Sequence, residues 1–178
     1  MIHPGYLAQH QAAPSFLRRG QELATGHSVL QNQSCRLATI GDAMNAAIEM
    51  HDSKCLAVEV EATGQGSVVL DAYVHRTDGE PGVAPGEGGV QRIRISVARM
   101  VVEGEVGDLP ADIFEGSLNL EETIQDNMVP FPATYSEPAR LSMMLSPDAR
   151  VVVVAGSGIS IEAEGEFRFV ETVDGSWH

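Results

Sequence analysis

From Leu56 onward apolar residues recur at every second position, and this period of two constrains the chain more than any other feature. Leu56, Val58, Val60 and Ala62 alternate with Ala57, Glu59 and Glu61; Val68, Leu70, Ala72 and Val74 alternate with Val69, Asp71, Tyr73 and His75. Alternation of this kind reads as a half-buried strand. The pattern returns in Ile93, Ile95 and Val97 against Arg92, Arg94 and Ser96, and in Leu141, Met143 and Leu145 against Ser142, Met144 and Ser146. Val151–Val154 reads as a central strand, Gly156-Ser157-Gly158 bends the chain toward Ile159–Glu164, and Gly165 turns it into Phe167–Val170. About eight short strands divided by Gly and Pro turns predict a mainly β fold, an antiparallel β-sandwich or barrel. Strands and helices never alternate in the βαβ manner, which excludes doubly wound nucleotide-binding folds.

Ahead of the strands the pattern differs. Residues 1–13 are polar and rich in small side chains and read as a flexible arm, with 14–52 as a helical segment, 53–172 as the β-domain and 173–178 as a tail. One helix is expected from Pro14 to Gly26. A second is expected over Thr39–His51, where Met44, Ala47, Ile48 and His51 fall at i, i+3, i+4 and i+7.

Charge is the second constraint. Eleven Lys and Arg against twenty-five Asp and Glu leave a formal net charge of −14. That balance excludes nucleic acid and anionic membrane surfaces as partners, because both demand a basic footprint. Between Arg99 and Arg140 there is no Lys or Arg at all. Glu103, Glu105, Asp108, Asp112, Glu115, Glu121, Glu122 and Asp126 lie in this interval, and Asn127 follows beside the stiff Val129-Pro130-Phe131-Pro132. These nine residues are the candidate partner-binding set, since a one-signed field steers a cationic protein toward it. Arg92 and Arg94, on one face of the Val90–Val102 strand, are the nearest basic counterweight.

A metal site is the candidate alternative. With Gly64–Gly66 as a three-residue hairpin loop, Glu59 would stand opposite Asp71 and Cys55 opposite His75. Opposed carboxylates beside an imidazole suit a cation, making Glu59, Asp71 and His75 the candidate ligands. Other chemistry lacks its signature. Ser28 in Gly26-His27-Ser28-Val29-Leu30 misses the final glycine of a nucleophile elbow, and the glycines of 86–89 are not followed by the Lys-Ser/Thr of a phosphate loop. No cofactor is implied. Cys35 and Cys55 are the only cysteines, and neither a secretory leader nor an apolar run of membrane-spanning length is apparent, so a cytoplasmic protein with free thiols is expected.

The function expected from these features is a non-catalytic acidic β-domain acting as a protein-interaction module. It would be an inhibitor- or immunity-type binder of a basic partner, or an accessory protein that self-associates as a homo-oligomer. A small-molecule-binding β-domain, or a metal-dependent enzyme using Glu59, Asp71 and His75, is the alternative.

Overall fold

A computed structural model describes residues 44–175. The expected arm, the helix after Pro14 and the last three residues of the tail lie outside them. Within them the chain is all strand, turn and loop. The strands are β1 (Asn45–Val60), β2 (Gly66–Thr77), β3 (Gly86–Glu103), β4 (Ala111–Asn119), β5 (Ile124–Asp126), β6 (Met128–Pro130), β7 (Ala133–Leu145), β8 (Arg150–Ala163) and β9 (Arg168–Val173).

Six of them close a barrel. The order β4-β7-β8-β3-β2-β1 is antiparallel throughout, and β1 returns to β4 through Lys54↔Asp112 and Cys55↔Ala111. Between a sandwich and a barrel, the structure is therefore a barrel, which leaves no edge in its closed section. Three strands are added outside it: β5 on β4, β6 on β1, and β9 on β3. β9 extends the lane of β8 along β3, pairing with Gly86–Val90 where β8 pairs with Ile93–Glu103. Between them Phe167 packs under the Arg76 guanidinium, 3.9 Å from ring centroid to Cζ.

The expected helix over Thr39–His51 is corrected where it is described: Asn45–His51 is the first half of β1. Helix propensity separates these residue types by only tenths of a kcal/mol each. In the sheet, Ile48 and Met50 are fully buried in the barrel, while Ala47 and Glu49 are buried on its outer face. Cover on both faces produces the run of four buried residues, Ala47–Met50, which destroys the alternation that marks a half-exposed strand.

The interior is filled. Leu70, Ile93, Ile95, Ile113, Leu118 and Leu141 are among the large side chains with less than 2% exposure, contributed by β2, β3, β4 and β7. The acidic stretch belongs to this framework and is no mere edge. It supplies β4, which closes the barrel, and buries Ile113, Leu118, Val129 and Phe131 while its carboxylates stay outside. Among the described residues no helix is long and apolar enough to cross a membrane.

Candidate functional site

The β1–β2 hairpin does not have the register expected of it. The strands are separated by residues 61–65, so Glu59 pairs with Ser67, while bulges in β1 set Asp71 against Lys54 and His75 against Ala47. Successive pairs along a strand are about 3.3 Å apart. Asp71 therefore lies four residues from the Glu59 pair, and His75 four residues further on. Asp71 faces the Arg168 guanidinium at 3.7 Å. His75 is wholly buried, its Nδ1 accepting the Gly82 N–H at 2.7 Å. Cys55 points inward, fully buried and paired with Leu70 instead of His75. Glu59, Asp71 and His75 are thus not brought together, and among the described residues no group of three or more His, Cys, Asp or Glu is arranged to hold a metal ion.

The acidic residues divide into three sets. Glu103 pairs with Arg140 at 2.7 Å and Asp112 with Lys54 at 2.7 Å, both pairs exposed. Such pairs contribute about 0–1 kcal/mol. Glu105 and Asp108 lie exposed between β3 and β4, and Glu121 and Glu122 between β4 and β5. Glu115, Asp126 and Asn127 do converge. With His51, Phe114 and Gly116 they line an open cleft of about 350 Å³ where β1, β4 and the β5–β6 junction meet.

Asn127 builds this cleft. It adopts a left-handed backbone, φ 55°, one of the few conformations in which Asn is favoured over other side chains. Its N–H donates to the Gly116 carbonyl at 2.9 Å, and its own carbonyl accepts the Met50 N–H at 2.8 Å. Its Oδ1 accepts the His51 N–H at 2.7 Å, and its side chain also hydrogen-bonds the Glu49 carboxyl. On the opposite wall a β-bulge between Ile113 and Glu115 turns both Phe114 and Glu115 outward. Phe114 remains 43% exposed. Its carbonyl lies 2.6 Å from His51 Nδ1, so Nδ1 carries the proton and donates. That bond, first of all, raises the imidazole pKa, with Asp52, Glu49 and Glu115 adding to it, so the ring holds its proton to higher pH than usual.

Behind the cleft lies a buried polar layer. Glu49 is 5% exposed, and its Oε2 has no hydrogen-bond partner among the described residues. Burial, then the Asp52 charge, raises its pKa against the opposing pull of His51 and Asn127. Glu49 pairs across the sheet with Tyr73, whose hydroxyl donates to Glu171 Oε1 at 2.8 Å. Burial first, and then Glu171, push the phenol well above its ordinary range. Tyr73 reaches Glu171 only because Gly88 has no side chain: a Cβ there would overlap the phenolic oxygen.

Glu49→Gln is expected to raise stability by about 1 kcal/mol near pH 8, because it removes a carboxylate charge that burial disfavours. The sign follows from linkage. A raised acid pKa favours the fold fully below the unfolded value of 4.5, and that contribution is lost as pH rises through the folded value. The gain should therefore vanish near pH 4, where both forms are neutral. Denaturant titrations at the two pH values check it, and an equal difference at both would refute the buried-charge explanation.

The sequence does not single out Glu49 and Phe114, and it presents His51 as the end of a helical stripe, not as a site residue. In a helix, residues two apart lie about 200° apart around the axis, whereas in a strand they share a face. Reading Asn45–His51 as a strand would have set Glu49 beside His51. For Phe114 the available signal was an aromatic between Ile113 and Glu115 inside an otherwise acidic run. No protein-family model matches this chain, and no curated protein or solved structure does so either.

Proposed function

We propose that this barrel is a protein-interaction module that receives a cationic side chain, Arg or Lys, of a basic protein partner in the cleft of Phe114, Glu115 and Asp126. The observation that carries the reading is an aromatic ring held 43% exposed between carboxylates by a β-bulge. An aromatic face attracts a cation by about 0.5–2 kcal/mol, and flanking carboxylates add charge-assisted hydrogen bonds. The net charge of −14 steers such a partner from a distance. The filled barrel interior argues against the reading in which a small molecule enters the lumen.

The test is titration of the full chain with an octa-arginine peptide by calorimetry. Binding is expected to weaken by about tenfold or more between about 0.05 and 0.5 M salt, as screening shortens the field. Phe114→Ala and the double change Glu115→Gln with Asp126→Asn should each weaken it several-fold further, whereas Asp148→Asn, at the β7–β8 turn, should not. If the cleft variants bind as the parent does, the interaction is diffuse and the cleft is not its seat.

A further inference from the structure

We propose that a second cleft, between Arg99 and Arg140, binds a small organic anion: a carboxylate or phosphate ester attached to an apolar body. This site is independent of the cation-receiving cleft. Its origin is a break in register shared by neighbouring strands. β3 shifts against β8 around Ala98–Val101, and β7 shifts against β8 between Tyr135 and Pro138. These shifts are level, because Ala98 and Pro138 both pair with Ser157. Bulges re-aim side chains, and aligned ones open the outer surface of a sheet. Here they leave an open cleft of about 480 Å³, lined in part by Val101, Leu120 and Pro138. That volume lies within the usual range for small-ligand sites, about 300–1,000 Å³.

Arg99 gives the cleft its chemistry. It has φ 52°, a conformation that a long side chain rarely adopts, and it sits within the β3 bulge. Its Nε and Nη2 both donate to Ser157 Oγ, at 3.2 and 2.8 Å. The guanidinium is thereby fixed along one edge, with the Nη1 hydrogens uncommitted. Among the described residues no carboxylate forms an ion pair with Arg99, although acids outnumber Lys and Arg twenty-five to eleven. Arg140 lines the same cleft and uses Nη1 and Nη2 on Glu103, at 3.3 and 2.7 Å, which leaves Nε free.

A fixed guanidinium with free N–H groups above an apolar lining matches an oxyanion joined to an apolar body. The general negative charge of the protein opposes anions, but at 0.1 M salt its reach falls to about 10 Å, so the contacts within the cleft decide. Among the described lining residues Glu121 is adverse to an anion, and the Glu103 carboxylate is already held by Arg140.

Benzoate and phenyl phosphate, titrated into the isotope-labelled full chain and followed by amide chemical shifts, test the proposal and tell the two oxyanions apart. Benzyl alcohol and benzylamine serve as the neutral and cationic comparisons. Saturable shifts at Val101, Ala155 and Gly156 are expected with at least one anion and not with either comparison compound. Arg99→Gly should weaken the anion by about tenfold, the loss of one charge-assisted contact. Glycine takes this backbone conformation without penalty, so the variant keeps its fold and the loss reports the guanidinium itself. Glu121→Gln should tighten binding. No shift from either anion, equal binding of benzyl alcohol, or an unchanged affinity in Arg99→Gly would each overturn the site.

Discussion

Ile95→Ala is expected to destabilise the protein by about 2–5 kcal/mol, the cost of deleting a buried aliphatic chain and leaving a cavity. Ile95 is fully buried on β3, paired with Val68 of β2 on one side and Ile161 of β8 on the other. A closed six-stranded barrel has one interior, and its walls are hydrogen-bonded to each other all the way round. The surrounding strands therefore cannot collapse into the gap as a loosely attached helix would. Urea denaturation checks the expectation: the midpoint should fall sharply with little change in slope. Val60→Ala removes a side chain 52% exposed at the mouth of the hairpin and should change stability by no more than about 0.5 kcal/mol. A loss below about 1 kcal/mol for Ile95→Ala would show that the interior is not packed at that level.

Acid is expected to unfold the protein from the outer face inward, through His75. Its ring is fully buried and its pKa is lowered by that burial, and Nδ1 accepts the Gly82 N–H. A lowered imidazole pKa favours the fold above the unfolded value of 6.5, and this contribution is lost as pH falls through the folded value. Protonation would charge a buried ring and break the bond to Gly82, freeing residues 78–85 from the sheet they cover. Melting temperature should therefore drop as pH falls below 6.5, and amide exchange at Gly82 should rise before that of the barrel strands. In His75→Gln, whose side chain does not titrate, the slope between pH 6.5 and 5 should flatten. An unchanged slope would assign the acid limb to other groups. Glu49, whose pKa is raised by burial, works in the opposite sense above the unfolded value of 4.5, so combining His75→Gln with Glu49→Gln should remove both contributions to the slope.

Much of the candidate site was legible one residue at a time and illegible as an arrangement. Glu115, Asp126 and Asn127 stood out because a run without Lys or Arg is visible in the chain itself. That they meet His51 follows from β4 returning to β1, which brings Phe114 to His51 from 63 positions away. The metal reading of Glu59, Asp71 and His75 depended on hairpin register, and register depends on loop length and bulges. The longer loop over residues 61–65 moved the partner of Glu59, and two bulges in β1 moved those of Asp71 and His75 and turned Cys55 from the outer face into the core. Arg99 was visible as a boundary of the acidic run, but its left-handed backbone and bond to Ser157 exist only once β3 and β8 are paired.

The sequence by itself determined the class of structure: strands over most of the β-domain, antiparallel connections, and an acidic second half on the outside. Alternation, turn residues and charge are all local, and local signals survive without knowledge of what lies opposite. Tertiary structure alone decided that β1 begins at Asn45 instead of ending a helix at His51, and that the sheet closes into a barrel. It also decided which carboxylates are spent on Lys54, Arg94, Arg140, Arg150 and Arg168 and which remain open. The reason is energetic. Propensities differ by tenths of a kcal/mol per residue, whereas burying a side chain such as Ile48 contributes about 1.5–3 kcal/mol, so cross-strand packing overrules the local preference.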